Sequence, residues 1–306
     1  MALPTCVITN PAAGRGKARR QLESARRRFG PEIEYRPTAG PGHAVELART
    51  AAVEGFARVV AAGGDGTVHE VANGLLTSGR SEVILSVWPL GSMNDFAYSL
   101  GLLRWWAEGA VRPLDVLRAD VGAVRADGRE RYFVNGCGVG FNGLVAHESR
   151  SIRSLRGLPL YVLAFLKSMV RHFATPAMSI QLDSATSVGP TLSLSLNLGQ
   201  REGGFPVSPA ARLDDGAFDV LHVGAVRRWE LLRYLPGLIA GRLPTDHPHI
   251  RRGRCGRAII RAAVPLCVHI DGELFAVPGD GVRELEVELL PNRLRVEVCP
   301  PYLYGG

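Results

Sequence analysis

Three short motifs combine glycine with acidic side chains, and they hold the residues of this sequence whose types could do chemistry. They are Gly-Gly-Asp-Gly-Thr at 63–67, Gly-Ser-Met-Asn-Asp at 91–95 and Asp-Gly-Glu at 271–273. Glycine lets backbone N–H groups approach a phosphate, whereas a carboxylate beside a phosphate requires a cation between the two. A nucleotide bound with Mg²⁺ satisfies both conditions, so the motifs indicate nucleotide chemistry.

The motif at 63–67 is predicted to be a tight turn between a strand and a helix. Residues 58–62 form a short apolar run typical of a buried strand, and apolar residues recur at helical spacing over 68–76. Thr67 can cap the helix, and the three glycines can take positive φ angles and leave no Cβ in the way of a ligand. The alternative is a ligand-free turn in which an exposed Asp65 bonds to its own backbone.

The first third of the chain alternates strands with helices. Strands are predicted at 5–9, 32–36, 58–62 and 83–88, and helices at 18–29 and 43–54. This alternation is typical of a parallel sheet covered on both faces. Because ligands bind beyond the carboxyl ends of such strands, we expect the loops that follow 5–9, 58–62 and 83–88 to converge.

From about residue 114 the pattern changes to many short alternating strands, which indicate an antiparallel sandwich or barrel. They are predicted at 115–121, 131–134, 178–182, 191–197, 218–223, 257–261, 266–270 and 284–289. Two helices, at 158–173 and 228–242, interrupt them.

Composition narrows the class of protein. The chain has 306 residues, 46% hydrophobic and 21% charged, with a net charge of +7, which suits anionic partners such as nucleotides, acidic lipid surfaces or nucleic acid. Five scattered cysteines give neither a zinc pattern nor a disulfide framework and favour a reducing cytoplasm. The N-terminus has no signal-peptide layout, and the longest apolar run, 158–166, is too short to span a bilayer.

Taken together, the motifs at 10–17, 63–67, 91–97 and 271–273 resemble the diacylglycerol-kinase catalytic family of lipid kinases, which includes sphingosine and ceramide kinases. The resemblance covers essentially the whole chain. It implies an N-terminal NAD-kinase-like α/β nucleotide-binding domain and a C-terminal β-sandwich domain. The implied boundaries are 1–118 with a return at about 291–306 for the ATP-binding domain, and 119–290 for the lipid-substrate domain.

The resemblance also implies where ATP binds. The implied ATP-binding residues are Asn10, Thr38, Gly63, Gly64, Asp65, Gly66, Thr67, Val68, His69, Ser92 and Asn94. Ser92 stands where the family usually has threonine and keeps the hydroxyl. Met93 stands where alanine is frequent and departs from the family pattern.

In the family the aspartate of the Asp-Gly-Glu motif is the catalytic base, which corresponds to Asp271 here. It would accept the proton of a lipid hydroxyl as that oxygen attacks the γ-phosphate. The residues implied to hold the catalytic Mg²⁺ are Asp65, Asp95 and Glu273. From the residues alone, Asp271 and Gly272 equally predict a type I′ hairpin turn, and Asn94 with Asp95 an ordinary helix cap.

A second acidic segment, 212–219, resembles a structural Mg²⁺ site of the family. The implied ligands are the carboxylate of Asp215 and the main-chain carbonyls of Arg212 and Ala217. The alternative is an Asp-Gly turn whose carboxylates are solvated.

The segments 158–173 and 228–235 combine apolar side chains with nearby arginines. Such helices can lie in a membrane interface, where acidic headgroups attract the cations, or can pack on the sandwich with solvated arginines. We expect a cytoplasmic protein that contacts acidic membrane surfaces peripherally; a homodimer is compatible with the sequence.

The expected function is transfer of the γ-phosphate of ATP, with Mg²⁺, to a diacylglycerol-like lipid alcohol. One alternative is an NAD kinase-like small-molecule kinase, and another is a catalytically silent protein that binds nucleotide or lipid. No motif for nucleic-acid binding is recognisable, so no nucleic-acid partner is expected.

Overall fold

The computed structural model describes residues 3–11, 33–109, 112–152, 154–242 and 247–300. The chain divides into two compact units, Met1–Asp120 with Pro291–Gly306, and Val121–Leu290. The predicted helix at 18–29 and residues 12–17 of the first motif lie outside the described residues. The assignment of ATP to the first unit and of lipid to the second stays a prediction.

The first unit alternates strands and helices. Its elements are β1 Thr5–Thr9, β2 Glu34–Pro37, α1 His43–Val53, β3 Arg58–Gly63, α2 Asp65–Leu76, β4 Ile84–Pro89, α3 Asp95–Ser99 and α4 Leu102–Ala107. The four strands are parallel, in the order β2-β1-β3-β4. The predicted α/β architecture is confirmed.

Burial explains why these strands form. Every residue of β1 is buried, and β3 and β4 are buried along nearly all of their length, as expected for a parallel sheet covered on both faces. Trp88 at the end of β4 stacks on Trp106 of α4 at 5.4 Å between ring centroids. This packing covers the sheet beside the carboxyl ends of its strands.

The second unit consists of antiparallel strands and three helices. Its elements are β5 Asp115–Ala126, which begins in the first unit, β6 Arg129–Phe133, β7 Gly136–Gly140, α5 Phe141–Ser149, α6 Gly157–Arg171, β8 Ala177–Leu182, β9 Ala185–Pro190, β10 Ser193–Asn197, β11 Phe218–Val223, α7 Arg228–Ile239, β12 Ile250–Cys255, β13 Arg257–Ala262, β14 Val268–Ile270, β15 Glu273–Ala276 and β16 Glu284–Val298, which ends in the first unit.

Two antiparallel sheets make up this unit. One has the order β12-β11-β10-β7-β14-β15, and the other contains β9, β8, β13 and the first part of β16, with β5 and β6. The predicted C-terminal β architecture is therefore confirmed. In the first unit, Arg295 and Val296 at the end of β16 pair in parallel with β4.

Several predicted boundaries were wrong. The glycine-rich strand β7 was missed, because Gly136, Gly138 and Gly140 carry no β-branched signal although the strand is central and buried. The helix α5, which follows directly, was missed with it. Strand β16 extends nine residues beyond the predicted end at 289 (298 − 289).

The helices α6 and α7 pack on one apolar cluster of the second unit. From α6, Phe165 and Met169 are buried in it, and from α7, Leu231 and Tyr234 are partly buried against it. Pro159 is the third residue of α6, within the first turn, where proline is tolerated. Among the described residues no helix is both long enough and apolar enough to cross a membrane.

Candidate active site

The glycine motif joins β3 directly to α2. The helix begins at Asp65 with Gly64 as its N-cap, and no side chain among the described residues caps it. The prediction that Thr67 is the cap was wrong: its N–H bonds to the carbonyl of Gly64 at 2.9 Å, inside the first turn. A helix N-terminus without a side-chain cap presents its N–H groups and positive dipole end to an anion.

The glycines allow neighbouring atoms to approach the backbone closely, and they do not adopt positive φ angles. None of Gly63, Gly64 and Gly66 has a positive φ, which corrects the expectation. A Cβ on Gly91 would lie 2.5 Å from the Cα of Gly64, and a Cβ on Gly63 would lie 2.2 Å from the Oγ1 of Thr67. The two glycine loops therefore touch through their backbones, and side chains would force them apart.

The carboxylate of Asp65 connects the loop after β3 to the loop after β4. Its Oδ2 accepts the N–H of Asn94 at 2.8 Å, and its Oδ1 accepts the N–H of Asp95 at 2.7 Å. Asn94, at φ 54°, also closes its own loop by hydrogen bonds in both directions with the backbone of Gly91, each 3.0 Å. Asp65 is thus a cap of α3 from a distant segment, and Asp95 is buried beside it.

The remaining predicted ATP-binding residues fall into two groups. Asn10, Thr38 and Ser92 follow β1, β2 and β4 and lie at the carboxyl edge of the sheet, where Asn10 Nδ2 approaches Thr67 Oγ1 at 3.4 Å. Val68 and His69 have buried side chains, each 3% exposed. The side chain of Asn73 donates a hydrogen bond to the main-chain carbonyl of His69 at 2.9 Å, so His69 has a hydrogen-bond partner within α2.

Sequence reasoning assigned no role to Glu70, although it directly follows the glycine motif. Its carboxylate accepts the N–H of Gly42 at 2.8 Å and of Ala44 at 3.1 Å. Glu70 therefore caps α1, whose N-cap Gly42 has a φ of 83° and no side chain. A capping carboxylate 28 residues away in sequence leaves no local signal.

In the second unit, Asp271 and Gly272 form the turn between β14 and β15. Both have positive φ, 51° and 83°, as a type I′ turn requires, and Ile270 pairs with Glu273 across it. The hairpin reading of this dipeptide is therefore correct.

Three backbone N–H groups donate to the carboxylate of Asp271. Asn135 and Gly136 donate to Oδ1 at 2.8 and 3.1 Å, and Val134 donates to Oδ2 at 3.1 Å. The N–H of Asp271 in turn bonds to the carbonyl of Gly136 at 2.8 Å. The carboxylate orientation is consequently set by the backbone that enters β7.

Glu273 forms a partly exposed ion pair with Arg150. Within the described part of either unit, no three His, Cys, Asp or Glu side chains come close enough together to hold one metal ion. Asp65 and Asp95 lie in the first unit and Glu273 in the second, so the predicted catalytic Mg²⁺ set stays a prediction.

The segment 212–219 contains an orphaned carboxylate oxygen. Asp215 pairs with Arg254 through Oδ2, while its Oδ1 is buried and has no hydrogen-bond partner in the part of the chain that the structure describes. Burial raises the pKa of the neighbouring Asp219, with Arg254 acting in the opposite direction. The orphaned oxygen suits a cation, and the Arg254 guanidinium already supplies part of the positive charge that such a site needs.

Two family profiles match the chain. That described as "Diacylglycerol kinase catalytic domain" matches residues 4–124, and that described as "YegS C-terminal NAD kinase beta sandwich-like domain" matches residues 136–298. Together they cover both units.

Relatives extend the likeness over nearly the full length. A Pseudomonas aeruginosa (strain UCBPP-PA14) protein named "Probable lipid kinase YegS-like" is 32% identical over 295 residues, covering 95% of this chain and 93% of that protein. A Bacillus subtilis (strain 168) protein named "Diacylglycerol kinase" is 28% identical over 290 residues, covering 90% and 92%. A crystal structure of a diacylglycerol kinase from Bacillus anthracis str. Sterne is similar in fold, with a TM-score of 0.70, 20% identity and 98% coverage of both chains.

Proposed function

Because this chain belongs to the diacylglycerol kinase catalytic family and is a kinase, we propose that it transfers the γ-phosphate of ATP to the hydroxyl of a diacylglycerol-like lipid. The observation that carries the proposal is the contact of the two glycine loops in front of an uncapped helix N-terminus, with Asp65 binding the backbone of both Asn94 and Asp95.

For ATP, the residues that follow the parallel strands supply the site. The start of α2 offers N–H groups to the phosphates, and the absence of a Cβ at Gly64 and Gly91 lets the two glycine loops pack together beside it. Asn10, Thr38 and Ser92 add polar side chains at the same edge of the sheet. Val68 and His69 act through packing under the loop, since their side chains are buried.

Mg²⁺ fits the donor set of the first unit. Carboxylate oxygens are its preferred ligands, and the backbone N–H of Asp95 bonds to Asp65, which brings two acidic residues to the contact of the two glycine loops. We propose that Asp65, Asp95 and Glu273 hold the catalytic Mg²⁺. Bound there, the ion supplies neutralisation of phosphate charge during transfer. The orphaned Oδ1 of Asp215 similarly supports a structural cation with the carbonyls of Arg212 and Ala217.

Asp271 is the proposed general base. Its three backbone donors fix the direction of the carboxylate. It would receive the hydroxyl proton as the lipid oxygen bonds to the γ-phosphorus and the bond to the bridging oxygen of ADP breaks.

The test is a radiolabelled-ATP screen over a panel of lipids in mixed micelles, with Asp271→Asn beside the wild type. We expect the variant to lose transfer and to keep ATP binding. Asp183→Asn is the matched control, because Asp183 also sits in a hairpin at positive φ, 49°, and accepts two backbone N–H bonds, from Gly256 and Arg257. Full activity of Asp271→Asn contradicts the assigned base.

The same screen, with NAD added as a further acceptor, separates the alternatives. Phosphorylation of NAD without any lipid would favour an NAD kinase-like activity. ATP binding without transfer to any lipid at varied Mg²⁺ would favour a silent binding protein.

We also propose that the second unit contacts acidic membrane surfaces through α6 and α7. Both helices pack inward on the apolar cluster and yet leave apolar side chains outside. The exposed ones are Leu163, Leu166 and Val170 of α6, and Trp229, Leu232 and Ile239 of α7. Arginines accompany both helices, and Glu230 is the one acidic residue in their two sequences.

Vesicle sedimentation tests this contact. Replacing both Trp229 and Leu232 by alanine is expected to reduce binding to acidic vesicles by about tenfold or more, since each buried apolar side chain contributes roughly 1.5–3 kcal/mol. Val188→Ala, at a 75% exposed apolar residue of β9, is the control. Absence of vesicle binding by the wild type at every salt concentration would remove the proposal.

A further inference from the structure

An acid–imidazole pair, Glu202 with the buried His269, lies next to the Asp271 turn, and the proposed transfer reaction does not use it. Glu202 Oε1 lies 2.8 Å from Nε2 of His269, whose side chain is almost completely buried. Asn142 Nδ2 donates to the same oxygen at 3.0 Å, and Ser195 Oγ donates to Oε2 at 3.0 Å. Both oxygens of this partly buried carboxylate therefore have a partner.

Opposing effects act on the pKa of the Glu202 carboxyl. Burial by itself raises the pKa of Glu202, but the charge and hydrogen bond of His269, with the bonds from Ser195 and Asn142, lower that pKa overall. The backbone also reserves space for the imidazole, because a Cβ on Gly138 would lie 2.2 Å from Nε2 of His269. This explains why glycine stands at the centre of β7.

The imidazole connects the carboxylate to the turn. His269 Nδ1 lies 3.4 Å from the backbone N–H of Gly272, which can donate only to an unprotonated ring nitrogen. The other ring nitrogen, Nε2, faces the Glu202 carboxylate. The ring thus receives a hydrogen bond from the turn and contacts Glu202 on its other side.

The opposite side of the turn is held by the segment that enters β7. Asn135 donates its backbone N–H to Asp271, and its Nδ2 donates to the carbonyl of Arg201 at 2.7 Å, one residue before Glu202. The loop that carries Glu202 therefore contacts the turn from two directions, through His269 and through Asn135.

We propose that Glu202 and His269 are positioning residues, which hold the Asp271–Gly272 turn so that the Asp271 carboxylate is presented to the substrate hydroxyl. This inference rests on the proposed role of Asp271. A polar pair inside a protein rarely adds stability over apolar residues of similar volume, whereas orienting partners behind a reacting group commonly affect its rate.

Substitutions at Glu202 and His269 test separately the contact between these two side chains and the contact between His269 and the turn. In Glu202→Gln, the amide oxygen can accept from His269 and Asn142 and the amide nitrogen can donate to Ser195, so only the charge is lost. In Glu202→Ala all three bonds are lost. In His269→Gln, an amide near the Nε2 position can still reach Glu202, but the acceptor for Gly272 is gone.

Transfer activity and ATP binding are measured as kcat and KM. We expect Glu202→Ala and His269→Gln to lower kcat about 10- to 100-fold with an unchanged KM for ATP. Glu202→Gln is expected to recover most of the lost kcat. His222→Gln is the control, since His222 is half-buried on β11 of the same sheet and bonds to Thr191 instead.

Amide hydrogen exchange gives a second readout that does not depend on activity. We expect faster exchange at Val134, Asn135 and Gly136 in His269→Gln than in His222→Gln, because a looser turn releases the Asp271 carboxylate from those N–H groups. If Glu202→Ala does not fold, judged by its thermal unfolding, His269→Gln still tests the inference.

Unchanged kcat and unchanged exchange in His269→Gln would overturn the positioning role. A loss of kcat in Glu202→Gln as large as in Glu202→Ala would also overturn it, because the charge and not the geometry would then matter. If Asp271→Asn keeps full activity, the proposed base itself is wrong, and the exchange result alone then decides whether His269 holds the turn.

Discussion

Replacing Asp65 by asparagine separates its structural contribution from any role in binding a ligand. Both oxygens of the Asp65 carboxylate accept backbone N–H groups at the start of α3, from Asn94 and Asp95. The asparagine side chain has one acceptor oxygen and one amide group. It can therefore satisfy one of these N–H groups, and its own N–H atoms would face the other.

The structure sets the size of the effect. A hydrogen bond to a charged group contributes about 1.5–3 kcal/mol, and a buried N–H left without a partner costs roughly 1–3 kcal/mol. A negative charge at a helix N-terminus adds about 0.3–1 kcal/mol. Because asparagine keeps one neutral bond, we expect Asp65→Asn to lose about 2–4 kcal/mol from a total that is typically about 5–15 kcal/mol.

The assay is urea unfolding in EDTA without nucleotide, followed by tryptophan fluorescence. Three of the four tryptophans, Trp88, Trp105 and Trp106, lie in the first unit, so the signal reports mainly on the unit that contains Asp65. The control is Asp127→Asn, at an exposed turn position of the second unit. A loss below about 0.5 kcal/mol in EDTA would refute the reasoning, since Asp65 would then serve a ligand alone.

Two further predictions concern packing and pH. Gly91→Ala places a Cβ 2.5 Å from the Cα of Gly64. We expect it to lower the free energy of unfolding by about 1–3 kcal/mol. It should also weaken ATP binding, measured by calorimetry, at least about tenfold. Gly64→Ala, with a closest contact of 3.2 Å, should cost less, and equal losses in the two variants would contradict the steric argument. Glu148 is buried, and its hydrogen bonds with Lys167 and His172 lower its pKa to about 2. Because the folded-state pKa lies below the unfolded value, this stabilisation is complete above about pH 5 and is lost as the pH falls towards 2, so Glu148→Gln should flatten acid unfolding over that range.

Sequence patterns alone established the architecture of the first unit and the location of its candidate site. Alternating strands and helices require a parallel sheet, and the carboxyl ends of parallel strands lie at one edge. Asn10, Thr38 and Ser92 are found at that edge for this reason. The type I′ turn at Asp271 and Gly272 was equally local, because both residue types tolerate positive φ.

Local reasoning failed where packing decides the conformation. The glycines at 63, 64 and 66 were expected to serve positive φ, but their role depends on Gly91, which belongs to another loop. Strand β7 was missed because its glycines make room for His269 and Asn142, and nothing within 136–140 records those neighbours.

The sequence by itself determined which residue types could bind a nucleotide, and at which strand ends they would lie. Only the tertiary structure decided what each carboxylate contacts: Asp65 with the start of α3, Glu70 with α1, and Glu202 with an imidazole 67 residues away. The physical reason is that strand and helix preferences act between near neighbours in sequence. A buried carboxylate instead takes whichever donors the folded chain brings within about 3 Å, however distant they are in sequence.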